Sequence, residues 1–284
     1  MENAYKETMF ILKKYNISAN KSLGQNFLIS DEIIDSIINS ANINNEDLVI
    51  EIGPGLGTLT SRLLEKAKKV IAIELDKKMI NILNDRFSLY NNFELINQDV
   101  LKVNLKELID KNYAKNVKIV ANLPYYITTP IIMKLLEDRL NIESITVMVQ
   151  KEVAKRLTAV PGDKLSGAIT YSVNYYCQPE EVLEVPNSCF IPEPEVESEV
   201  IKLNLRKDFP VKLDNEELFF KFIKVSFMQR RKTLLNGFSN SGLMTKDECK
   251  LLLNKLGISE QIRGENLTLQ DFANLSNEWN KINS

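Results

Sequence analysis

The sequence predicts an α/β fold: a mostly parallel seven-stranded sheet flanked by helices, followed by a small all-α domain at the C terminus. Three observations carry that expectation. Short runs rich in β-branched residues alternate with amphipathic segments from Leu48 to about Leu205, the pattern of parallel strands joined by crossover helices. A glycine-rich turn, Gly53-Pro54-Gly55-Leu56-Gly57, directly follows one such run and precedes a helical segment. Beyond Leu205 no strand run recurs, and residues 216–238, 245–256 and 269–280 all show helical spacing.

Taken in order, the strands are expected at 48–52, 70–74, 93–97, 118–122 and 145–150, with a later pair at 168–176 and 199–205. Helices are expected to begin near Thr58, Asp76, Thr129 and Glu152. Pro130 falls in a first helical turn, where its missing N–H costs nothing. A chain of 284 residues buries about 75% of the surface it would expose unfolded, enough for one large core and a smaller one. Two domains are therefore expected, 1–206 and 207–284.

Composition removes whole classes of chemistry. The chain has no histidine, which excludes imidazole bases, Ser-His-Asp triads and His-ligated metals. Cys177, Cys189 and Cys249 are an odd number without CxxC spacing, so neither a disulfide framework nor a zinc site is expected. They read as buried thiols in a reducing cytosol. Acids precede the short apolar stretch at the start, and no run nears the ~20 apolar residues of a membrane span, so a soluble, unexported, cytoplasmic protein is expected; a monomer is expected too, though nothing in the sequence fixes the oligomeric state.

With 36 basic against 38 acidic side chains the net charge is −2, so any nucleic-acid-binding face must be local. Two stretches qualify. Residues 13–30 hold three lysines, among them Lys21, and no acid; residues 221–232 hold five basic residues and no acid. Each is either a solvated helix face or a phosphate-binding one.

The glycine turn reads GxGxG rather than GxGxxG, and no Gly-Lys-Ser/Thr follows, so it is neither a pyrophosphate cradle nor a P-loop. On its own it is a tight turn with or without a ligand. The next strand ends in Glu74, about twenty residues past the first glycine, where a carboxylate can accept from both ribose hydroxyls of an adenosine. The third strand is followed by Asn97-Gln98-Asp99, placing a second carboxylate where an adenine amine would donate. Three successive strand ends thus offer complementary polar groups to one crevice, and the region resembles the S-adenosylmethionine-binding core of class I, Rossmann-like methyltransferases.

The fourth strand ends in Asn122-Leu123-Pro124-Tyr125, which resembles the Asn-Pro-Pro-Tyr motif of enzymes that methylate exocyclic amines of bases. The chemistry explains these residue types. An adenine amine has its lone pair delocalised into the ring, while a sulfonium is already an excellent leaving group, so hydrogen-bond acceptors matter more than a strong base. The Asn122 side-chain carbonyl and the Leu123 backbone carbonyl can each accept an N–H and aim the lone pair. Pro124 stiffens the turn, and Tyr125 offers a face to an unstacked base. The alternative is an Asn cap beside a core tyrosine. Phe190, in the Pro-stiffened stretch Cys189-Phe190-Ile191-Pro192, either closes over the base or belongs to the core.

Together these residues resemble one family, the KsgA/RsmA small-subunit rRNA adenine dimethyltransferases. The likeness also covers Ser22-Leu23-Gly24-Gln25-Asn26-Phe27-Leu28, Gln150-Lys151-Glu152-Val153-Ala154, Phe227-Met228-Gln229-Arg230-Arg231-Lys232-Thr233-Leu234 and Ile262-Arg263-Gly264-Glu265-Asn266-Leu267. It implies that Asn26, Leu28, Gly53, Glu74, Asp99 and Asn122 contact S-adenosylmethionine, with Gly55, Leu75 and Val100 beside them. It implies a substrate too: two adjacent adenines, each methylated twice, in the hairpin loop near the 3′ end of 16S rRNA, within the 30S subunit or its precursor. Lys21, Lys221, Lys224, Arg230, Arg231 and Lys232 would then bind the rRNA backbone, and no metal is implied. Glu193 and Glu195 stand where family members commonly carry a basic residue. Erythromycin-resistance 23S rRNA methyltransferases share the Gly-Gln-Asn-Phe-Leu entry and are the nearest rival; a non-catalytic assembly factor and a DNA adenine methyltransferase are more distant ones.

Overall fold

A computed structural model describes residues 3–20, 23–112, 116–229 and 231–283 of the chain. Its strands are β1 (Phe27–Leu28), β2 (Leu48–Ile52), β3 (Lys69–Glu74), β4 (Phe93–Asn97), β5 (Val117–Asn122), β6 (Ser144–Gln150), β7 (Cys177–Val185), β8 (Phe190–Ile191) and β9 (Ser198–Leu205). The helices through the sheet region are α1 (Ala4–Lys14), α2 (Asp31–Ser40), α3 (Thr58–Lys66), α4 (Lys77–Phe87), α5 (Leu105–Lys111), α6 (Thr128–Glu137), α7 (Lys151–Thr158) and α8 (Ala168–Tyr176). Four more follow: α9 (Glu216–Met228), α10 (Leu234–Asn240), α11 (Lys246–Lys255) and α12 (Leu269–Asn283).

The main sheet has seven strands in the order β4-β3-β2-β5-β6-β9-β7. Strands β4, β3, β2, β5 and β6 run parallel, and β9 enters antiparallel to β6. All residues of β2 are buried, as a central parallel strand covered on both faces requires. The chain leaves β2 toward β3 on one side and later returns to β5 on the other, so the carboxyl ends of β2 and β5 flank the point where the strand order reverses. That reversal opens the crevice in which the candidate site lies.

One strand expectation is corrected. Residues 168–176 form a helix, α8, and the seventh strand is β7. Ile169, Thr170, Val173 and the tyrosines favour strands, but Thr170, Tyr171, Ser172, Val173, Tyr175 and Tyr176 are all buried, so packing on nearly every side overrides propensity. The helix start is fixed by Thr170, whose Oγ1 accepts from Gly167 N at 2.9 Å. β7 escapes a pattern search because it carries Pro179 and exposed glutamates.

The chain divides into two compact units, 1–154 with 179–205, and 155–178 with 206–284. Residues 155–178 thus leave the sheet unit to which the sequence assigned them. In the second unit Tyr171, within α8, is fully buried and meets the Phe272 ring edge-on at 5.1 Å, while its hydroxyl donates to Leu267 O at 2.6 Å. The span read as one helical segment, 216–238, is two helices: α9 ends at Met228, and Thr233 caps α10 by accepting from Asn236 N.

Candidate active site

The cleft belongs entirely to the first unit and is built from strand ends. Gly53 follows β2, Glu74 ends β3, Gln98 and Asp99 follow β4, and Asn122 ends β5. Register keeps these ends level, with Ile52 opposite both Ile73 and Ala121 and Glu74 opposite Asn97.

The glycine turn takes left-handed backbone at Gly53 (φ 68°), Gly55 (58°) and Gly57 (82°), where any side chain is strained. At Gly57 a Cβ would also sit 2.5 Å from the Phe87 ring, so this position closes α3 onto α4. At Gly53 the nearest atoms to a Cβ would be the Asn122 carbonyl and Pro124 Cδ, both at 3.9 Å, which leaves the turn open toward the cleft.

Glu74 is 8% exposed and its carboxylate is held by backbone donors: Leu75 N and Asp76 N at 2.8 Å to Oε1, and Gly55 N at 3.2 Å to Oε2. Burial pushes its carboxyl up, and the three backbone N–H groups oppose that shift. Glu51, in β2, is wholly buried; desolvation raises its carboxyl to about 8, against the hydrogen bond that Thr60 Oγ1 donates at 2.6 Å. Asp99 caps a short 3₁₀ turn by accepting from Leu101 N at 3.0 Å through Oδ1, leaving Oδ2 without a donor among the described residues.

The segment 23–28 forms a strap over one side. Gln25 Nε2 donates to Asp76 Oδ2 at 3.0 Å, Phe27 lies beside Gly55, and Leu28 pairs with Phe190 in the short β1–β8 sheet. Asn122 is tied to the strap as well: its Nδ2 donates to the Asn26 carbonyl at 3.2 Å. Because that carbonyl can only accept, the bond fixes which end of the amide is oxygen, and Asn122 Oδ1 is left as an acceptor with no donor among the described residues. Leu123 N donates to Met148 O at 3.1 Å, anchoring the turn on β6, and the Tyr125 hydroxyl shares a 2.6 Å hydrogen bond with Ser198 Oγ.

The structure therefore brings Asn26, Leu28, Gly53, Gly55, Glu74, Leu75, Asp99, Val100, Asn122, Leu123, Pro124 and Tyr125 to one cleft. Phe190 does not line it; the ring is 1% exposed and packs in the core. Lys221, Lys224, Arg231 and Lys232 are exposed in the second unit, on α9 and in the turn after it, and make no ion pair among the described residues. Lys21 and Arg230 lie outside the described residues. Sequence reasoning missed Gln25, Glu51, Tyr126 and Ser198. The first three sit inside or directly beside the motifs, whereas Ser198 is distant in sequence and carried no signal.

The donor set suits an adenosyl sulfonium. A buried carboxylate faces the glycine turn, a second carboxylate oxygen and an amide oxygen stand open at neighbouring strand ends, and the left-handed glycines leave room for close approach. No cluster of metal-ligating side chains occurs among the described residues.

Comparison with known proteins decides the family. The family described as ribosomal RNA adenine dimethylase matches residues 16–281. The chain belongs to the ribosomal RNA adenine dimethylase family. Among its relatives, ribosomal RNA small subunit methyltransferase A of Clostridioides difficile is 50% identical over 99% of this chain and 97% of its own length. The protein of the same name from Bacillus pumilus is 48% identical over 96% of each. A dimethyladenosine transferase from Plasmodium falciparum superposes with a TM-score of 0.75 at 31% identity, covering 89% of this chain and 97% of that one. The 23S rRNA methyltransferase ErmE, at 23% identity and a TM-score of 0.67 over 88% of this chain and 98% of its own, shares the fold. Membership in the dimethylase family accounts for a cleft that presents acceptors and no imidazole base.

Proposed function

We propose that this protein dimethylates two adjacent adenines in the 3′-terminal hairpin loop of 16S rRNA, in the 30S subunit or its precursor, during small-subunit biogenesis. The chain is an rRNA adenine dimethyltransferase that uses S-adenosylmethionine. One observation carries the chemistry: Asn122 Oδ1, oriented by the strap, has no donor among the described residues and lies at the end of β5 in the cleft that the glycine turn and Tyr125 also line.

When bound, S-adenosylmethionine supplies an electrophilic methyl group on a sulfonium with a good leaving group. Glu74 and Asp99 would hold its adenosine, the first at the ribose hydroxyls and the second at the adenine amine. In the first transfer Asn122 Oδ1 and the Leu123 carbonyl accept the two N–H groups of the target amine, and in the second one of them accepts the single remaining N–H, which draws the nitrogen toward tetrahedral geometry and points its lone pair at the methyl. The amine sheds its proton to solvent water only once the new N–C bond makes it acidic, so no strong base is required. Tyr125 receives the face of the flipped base. Lys221, Lys224, Arg231 and Lys232 of the helical unit neutralise rRNA phosphates, and Arg230 and Lys21, outside the described residues, are proposed to do the same.

No helix among the described residues is long and apolar enough to cross a membrane. Labelled methyl from S-adenosylmethionine, offered separately to unmethylated 30S particles, 50S particles and DNA with the products mapped, tests the reading. Dimethyladenosine at two adjacent 3′-end adenines of 30S supports it; label confined to 50S moves the protein to the resistance type.

A further inference from the structure

Tyr125 is oriented by a residue that no motif contains. Its hydroxyl lies 2.6 Å from Ser198 Oγ, and Ser198, the first residue of β9, is fully buried. The serine stands opposite Gln150 at the end of β6, the strand on which Leu123 is pinned through Met148. Its neighbour Glu197 is fixed in turn: the Glu197 carbonyl accepts from Lys151 N at 3.0 Å and its carboxylate from Lys151 Nζ at 2.9 Å. Ser198 thus sits on a strand end held by backbone pairing to β6. A buried hydroxyl there offsets its desolvation only through its bond to Tyr125, its one partner among the described residues.

With the hydroxyl tethered at its far end, swinging the Tyr125 side chain about χ1 breaks the bond, so the tether holds the position of the ring; rotation about χ2 leaves the hydroxyl oxygen on its axis. We infer that Ser198 is a positioning residue for the target adenine, holding the Tyr125 ring in place. The inference rests on the reading of Tyr125 as the base's stacking face.

The test compares Ser198→Ala, Tyr125→Phe and the double variant, which remove the same hydrogen bond from either side. Each is read by kcat and KM on unmethylated 30S particles, cofactor Kd, thermal midpoint, and the fluorescence of 2-aminopurine placed at the target position of a hairpin RNA. Each single variant is expected to lower kcat about fivefold to tenfold, the scale of one buried hydrogen bond, with cofactor Kd unchanged and the 2-aminopurine signal altered. The double variant is expected to fall no further. Wild-type kcat and fluorescence in Ser198→Ala, or losses that multiply in the double variant, overturn the inference. If Ser198→Ala does not fold, Tyr125→Phe tests the same bond alone, and wild-type values there overturn it equally. Tyr125→Ala separates the two levels: wild-type turnover removes the stacking role itself, whereas a defect there beside a normal Ser198→Ala removes only the role of Ser198.

Discussion

Asn122 Nδ2 donates to the backbone carbonyl of Asn26 at 3.2 Å, so a residue at the end of a central strand takes its orientation from a strap ninety-six positions earlier in the chain. The strap that lines the cleft thereby also orients the Asn122 side-chain acceptor. Gln25, bonded to Asp76 two residues past Glu74, ties the same strap to the end of β3.

On the proposed reading Glu74 holds the ribose of the cofactor. Glu74→Ala removes a carboxylate that three backbone donors hold in place, so cofactor Kd is expected to rise about tenfold or more, with the loss concentrated in binding rather than transfer. Calorimetric titration with S-adenosylmethionine checks this; an unchanged Kd would remove the ribose-binding role.

Glu51 makes stability depend on pH. Its folded carboxyl is raised from the ordinary value of 4.5 to about 8, so between these values the folded state holds a proton that the unfolded state releases. Stability is therefore expected to decline as pH rises through that window and to level off above about 8. Glu51→Gln keeps the shape and the Thr60 contact but cannot ionise, so it should flatten the decline, as denaturant unfolding at a series of pH values would show. An unchanged slope assigns the decline elsewhere, Glu74 being the next group raised by burial.

The basic turn after α9 should act through salt. Reversing charge at Arg230 and Arg231 is expected to weaken rRNA binding and to flatten the dependence of log K on log salt by about one unit for each phosphate no longer neutralised. Binding isotherms at several salt concentrations measure this, and an unaltered slope places these residues in packing instead.

Much of this arrangement was legible in the sequence because parallel strands announce themselves. The buried run 48–52 and the half-buried run 93–97 have their observed bounds, and Gly53, Glu74, Asp99 and Asn122 fall at or just beyond strand ends by fixed spacing. What was illegible depends on burial. Residues 168–176 carry strand propensity yet form a helix because nearly all sides are packed, and β7 hides its pairing behind Pro179 and glutamates. Phe190 was placed in two ways by its motif, and burial puts it in the core. Ser198 could not be read at all, since its partner Tyr125 is seventy-three residues away.

The most direct test of the central claim, that Asn122 orients the target amine, is the single-turnover rate of methyl transfer by Asn122→Ala beside its cofactor affinity. Removing one preorganised polar group at a reacting centre is expected to slow transfer by about a hundredfold or more while S-adenosylmethionine binding stays measurable. Transfer at the wild-type rate would contradict the account.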